Sequence, residues 1–122
     1  MSYTYTIDSK LPTLNEYVLA ERTNKFIAAN IKKKSTEACM WYCKHLKGKL
    51  DLSVKYDIHF EWHMQNRKLD PDNVCYAKKP ILDGLVKAGA LDTDGAKRIH
   101  GFRDTFIYDG KNFTVVTLIP IQ

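Results

Sequence analysis

The run Val54-Lys55-Tyr56-Asp57-Ile58-His59-Phe60-Glu61-Trp62-His63-Met64 alternates apolar and polar residues without a fault. A period of two is the signature of a strand with one face in a core and the other toward water. Such a strand needs sheet neighbours on its edges and an apolar layer against its inner face. His59, Glu61 and His63 share the polar face and form a conceivable metal cluster, although a plain polar sheet face is the simpler reading.

The flanking segments supply the other elements. Tyr3, Tyr5 and Ile7 alternate with threonines in a short strand that ends before Pro12. Thr13-Leu14-Asn15-Glu16 has the order of a capping box, and helical character persists to about Leu46 with a break near Asn24 or Asn30. From Asn73 to Ala88, Val74, Ala77, Ile81, Leu85 and Ala88 fall on one helical stripe and Asp72, Tyr76, Lys79, Asp83 and Lys87 on the opposite one. Pro80 predicts a kink or restart close to Lys79. Two strands, about Lys97 to Tyr108 and Phe113 to Ile119, are expected to form a hairpin through Asp109-Gly110. The expected architecture is a single α+β domain over residues 1–122 with a mixed or mostly antiparallel sheet, in the order β-α-(α)-β-α-β-β.

Nineteen Lys and Arg against fourteen Asp and Glu give a formal charge of +5. That excess suits a polyanion, and nucleic acid before a membrane. No apolar run is long enough to span a bilayer, and Met1-Ser2-Tyr3-Thr4-Tyr5 lacks the order of a secretory signal, which predicts a cytoplasmic protein. Cys39, Cys43 and Cys75 are odd in number and read as reduced thiols.

Against this basic background, acids concentrate in Leu69-Asp70-Pro71-Asp72-Asn73, followed by Lys79, Asp83 and Asp94. Converging carboxylates repel one another unless they spread into water or share a divalent cation. Asp70 and Asp72 stand between a core strand and a helix, and if both are extended they point to the same side. Magnesium suits such a site, because it takes a few carboxylates and leaves positions for water and phosphate oxygens. Lys79 would stabilise charge developing on a phosphate. Simpler uses exist for each: an N-cap for Asp70 or Asp72, an i,i+4 pair for Lys79 and Asp83, and a turn for Asp92 to Gly95. An EF-hand is excluded by the absence of glycine at the sixth loop position and of Glu at the twelfth. A helix of about 16 residues is roughly 24 Å long, so Asp94 joins the site only if the chain doubles back or the site lies along the helix.

Asp70-Pro71-Asp72-Asn73, Lys79, Asp83-Gly84-Leu85, Lys87-Ala88-Gly89 and Asp94, with Leu11-Pro12-Thr13-Leu14-Asn15-Glu16-Tyr17 near the start, resemble the RusA family of Holliday junction resolvases over nearly the whole chain. The resemblance implies magnesium ligands at Asp70, Asp72 and Asp94, a catalytic lysine at Lys79, and support from Asn73 and Asp83. Lys79 stands seven residues after Asp72, a longer spacing than the family pattern, and Lys78 is its rival. Asp92 is a second candidate beside Asp94, which stands eleven residues after Asp83 as the family spacing requires. The implied activity is paired nicking of four-way DNA by a homodimer; a non-catalytic branched-DNA-binding protein is the alternative. Lys32, Lys33, Lys34, Arg67, Lys68, Lys78, Arg98 and Arg103 are the expected DNA contacts.

Overall fold

The alternating run becomes β2 (Lys55–Met64), one of two inner strands of the sheet in the computed structural model, which describes residues 1–122. Tyr56, Ile58, Phe60, Trp62 and Met64 are all buried, while Asp57, His59, Glu61 and His63 face the other way and stay half-buried or exposed. β1 (Tyr3–Ile7), β3 (Ile99–Tyr108) and β4 (Phe113–Ile121) complete a four-stranded sheet in the order β1-β4-β2-β3. β4 is antiparallel to both of its neighbours and β3 is parallel to β2, so the sheet is mixed. Helices pack on its apolar side, giving one α+β domain.

The expected hairpin between β3 and β4 does not form. Both strands pair with β2 and neither pairs with the other. Asp109–Asn112 instead steps over the end of β2, a gap of two strand spacings or about 9.5 Å, which a four-residue connection spans easily. Gly110 takes φ +80°, so the Asp-Gly pair does serve a reversal. The reversal is wider than a tight turn because β2 offers two edges, and its parallel partner must arrive through the helix that follows β2.

α1 (Leu14–Thr23) opens on the full capping box: the Thr13 hydroxyl accepts from the Glu16 amide, and the Thr13 amide donates to the Glu16 carboxylate. Asn24 ends α1 and starts α2 (Lys25–Cys43), its side chain accepting from the Phe26 amide at 2.7 Å, so the break falls at Asn24 rather than Asn30. After β2 come α3 (Pro71–Val74), a 3₁₀ turn at Cys75–Ala77, and α4 (Lys78–Lys87). The interruption precedes Lys79. Pro80 lies in the first turn of α4, where its missing N–H is not needed.

α4 lies against α2 at Gly84. A methyl group there would stand 2.7 Å from the Cys39 Cβ and 2.8 Å from the Met40 nitrogen, so only glycine allows this approach. Cys39 and Cys43, both free thiols, are buried in the same contact. Burial pushes the Cys39 thiol up to about 12, which keeps it a neutral core group.

Gly84→Ala gains helix propensity of about 1 kcal/mol yet forces the helices apart. The expected result is a net loss of about 1–3 kcal/mol in denaturant unfolding. Gly95→Ala, whose methyl meets the Thr93 hydroxyl at 3.4 Å, is expected to stay within about 0.5 kcal/mol of wild type.

Candidate active site

Asp70 occupies the N-cap position of α3 in an extended conformation, and its main-chain oxygen accepts from the amides of Asn73 and Val74 at 3.0 and 3.2 Å. Its carboxylate makes no capping bond. The chain turns at Pro71, which places Asp72 inside the helix, so the two aspartates are not related as alternating strand residues. Both side chains are exposed and neither has a salt-bridge partner. Asn73 is buried, and its Oδ1 accepts from the Asn15 amide at 2.8 Å. That bond, together with the Tyr17–Tyr76 stack, ties the acidic turn to the start of α1.

Lys79 stands on the outer face of α4. Its Nζ lies 3.1 Å from Asp83 and 3.5 Å from Asp94, so the ammonium holds a helix acid and a loop acid together. The hydrogen bond to Asp83, with the charges of Asp83 and Asp94 added, raises the Lys79 pKa above its ordinary value and keeps it cationic.

Asp94 reaches this face because α4 ends in a Schellman turn. Gly89 takes φ +78°, its amide donates to Val86 and the Ala90 amide donates to Leu85, reversing the chain. Arg98 then fixes the returning loop. Its guanidinium donates to both oxygens of Asp92 at 2.9 and 3.0 Å and to the Val54 carbonyl at 2.8 Å. Asp92 is therefore committed to Arg98, and Asp94 is the acid that meets Lys79. Arg98 is 4% exposed. The expected DNA contact at Arg98 is corrected: burial and three hydrogen bonds leave its charge no access to a phosphate.

Lys78 points the other way. Its Nζ lies 2.7 Å from Asp104 on β3 and within 5 Å of the Phe102 ring centroid. Asp104 also accepts from the Trp62 indole at 2.8 Å. The two adjacent lysines thus serve opposite sides of α4, with Lys79 toward Asp94 and Lys78 toward the sheet. Cys75 stands beside this pair, its thiol pushed up to about 11 by burial and by the charge of Asp104. Asp104 went unnoticed in the sequence, although it lies in phase with Phe102, Phe106 and Tyr108, an acid on an aromatic strand face.

Lys32, Lys33, Lys34, Arg67, Lys68 and Arg103 are exposed. Successive helix residues diverge by 100°, and of the three consecutive lysines Lys32 to Lys34 on α2 it is Lys34 that lines a groove with Lys10, Leu11 and Pro12. The Arg67 guanidinium lies over the Tyr108 ring at 4.6 Å. On the polar face of β2, His63 stacks on Phe113, and its Nδ1 is 2.6 Å from Asp109. No three His, Cys, Asp or Glu side chains are grouped closely enough to hold a metal ion, at His59, Glu61 and His63 or at the aspartates. No helix is long and apolar enough to cross a membrane.

The acidic turn nonetheless fits magnesium in donor chemistry. Asp70 and Asp72 offer hard oxygens that no protein cation neutralises, and this ion takes one or two carboxylates with water and substrate phosphate rather than a closed protein cage.

The Arg98 hydrogen bonds hold the Asp92 carboxyl down at about 2, against about 3.9 in an unfolded chain. A lowered folded-state pKa stabilises the protein above the unfolded value, and this contribution disappears as the pH falls through the folded value. Asp92→Asn is expected to lower the thermal midpoint at neutral pH, with the gap to wild type closing between about pH 4 and pH 2.

No protein-family model matches the chain and no curated protein matches its sequence.

Proposed function

We propose that this protein is a magnesium-dependent, structure-selective endodeoxyribonuclease of the RusA kind, resolving four-way DNA junctions by paired, symmetric nicks. The observation that carries the reading is the Lys79 ammonium held between Asp83 and Asp94, on the helix that follows two exposed carboxylates, Asp70 and Asp72, without a cationic partner. Asp70 sits where a cap would be and caps nothing.

Asp70 and Asp72 would hold the magnesium ion, which when bound supplies an activated water and neutralises charge on the scissile phosphate, while Asp94, the third ligand that the resemblance implies, stands against Lys79 and is not grouped with them. The remaining work falls to side chains. Lys79, aimed by Asp83, donates hydrogen bonds to phosphate oxygens as negative charge builds on them, an effect of roughly 10²–10³ in rate for one well-placed donor. Asn73 keeps the acidic turn in register with α1 through the Asn15 amide. Lys32, Lys33, Lys34, Arg67, Lys68 and Arg103 contact phosphates, which position a junction without reading its sequence. A homodimer presents two related sites to the two strands of a two-fold junction.

A non-catalytic branched-DNA-binding protein is the second reading. It is favoured by the two carboxylate partners that Lys79 already has, which compete with a phosphate for the ammonium.

On a synthetic four-way junction, Asp72→Asn is expected to keep binding in a gel shift and lose magnesium-dependent nicking. Nicking by Asp72→Asn at the wild-type rate would overturn the site, and wild-type protein that binds the junction without nicking it would favour the second reading. Lys79→Ala is expected to lower the nicking rate by about 10²–10³ with little change in thermal midpoint. Lys78→Ala is expected to lower the midpoint instead, because it strands the half-buried carboxylate of Asp104.

A further inference from the structure

The connection that carries β3 over β2 to β4 leaves a cavity of about 250 Å³ at that end of the sheet. Trp62, Leu69 and Phe113 give it apolar walls, and His63, stacked on Phe113, also lines it. Its polar lining is one-sided in charge: Lys10 and Lys68 contribute, and no Asp or Glu does. Asn66 and Asn112 also line it, and their carbonyl oxygens are already engaged by the amides of Lys68 and Gln65. The NH₂ groups of these amides are donors with no protein partner.

This combination selects a ligand. Small-molecule pockets usually run from about 300 Å³ upward, so a cavity of this size suits one ring system rather than a peptide or a lipid tail. An apolar slot with amide donors suits a nucleobase, and two lysines without a competing acid suit its phosphate. Lys68 and Leu69 lead directly into Asp70, so an occupant would lie beside the acidic turn.

We propose that the cavity receives one unpaired nucleotide, its base against Leu69 and Phe113 and its phosphate on Lys10 and Lys68. The proposal rests on the nuclease reading for its choice of a polyanion, and it adds a reason for structural selectivity. Extruding a base from an intact duplex breaks its pairing and its stacking. At a branch point, bases unstack more readily, so the pocket favours branched over linear DNA.

The test uses the full chain in a Trp41→Phe background, which leaves Trp62 as the only tryptophan. A tetrathymidylate strand and an abasic tetramer of equal charge are titrated while Trp62 emission is followed. The expected result is a saturable change with tetrathymidylate, at least tenfold weaker with the abasic strand and in a Lys10→Gln/Lys68→Gln variant. Both lysines are exposed, so an unchanged thermal midpoint shows that the double variant is folded. Equal binding of both strands, an unaffected double variant, or no emission change overturns the pocket. Junction nicking with magnesium is measured on the same preparations. Nicking without base-dependent binding removes the pocket and leaves the nuclease, while base-dependent binding without nicking does the reverse.

Discussion

The close contact of α4 with α2 at Gly84 sets the placement of every chemically interesting group on α4. Because a Cβ there would meet the Cys39 Cβ at 2.7 Å, the helices touch backbone to backbone and α4 has little rotational freedom. Fixing Gly84 inward turns Asp83 and Lys79 outward and brings Ile81 and Leu85 into the core. Polar groups that must act together are thus held by an apolar contact on the far side of their helix.

A second constraint is electrostatic. Most acids around α4 and β3 are matched: Asp83 and Asp94 with Lys79, Asp92 with Arg98, Asp104 with Lys78. The Lys78 and Arg98 pairs are short and partly shielded, and share further hydrogen bonds that fix their geometry. Asp70 and Asp72 are outside this matching, in a chain with an excess of positive charge.

The polar groups also divide labour in a way that their residue types do not disclose. Arg98, a cation in a basic protein, is an internal clamp that holds the loop carrying Asp94. Asn73, next to two acids, is a link to the first helix. Lys10, which no motif marks, lies between the groove containing Lys34 and the cavity containing Lys68. Lys10 thus lines both openings, the groove being shared with Glu16.

Local pattern was enough for the elements: the period of two gave β2 its buried face, the capping box gave the start of α1, and the helical stripe from Val74 to Ala88 gave the inward and outward sides of the α3–α4 segment. Those features depend on neighbours a few residues away, where backbone geometry alone fixes which side chains share a face. The candidate residues Asp70, Asp72, Lys79 and Asp83 stood out as unusual residue types close together in the chain, and Asp94 was singled out over Asp92 only through the motif resemblance. Partners distant in sequence were beyond reach. Whether Lys78 or Lys79 faces Asp94, whether Arg98 meets solvent or Asp92, and whether β4 pairs with β3 or with β2 are set by packing between segments that a linear pattern does not relate. An Asp-Gly turn looks the same whether its strands pair or a third strand lies between them, so only the tertiary structure could separate β3 from β4 and open the cavity between the strand ends.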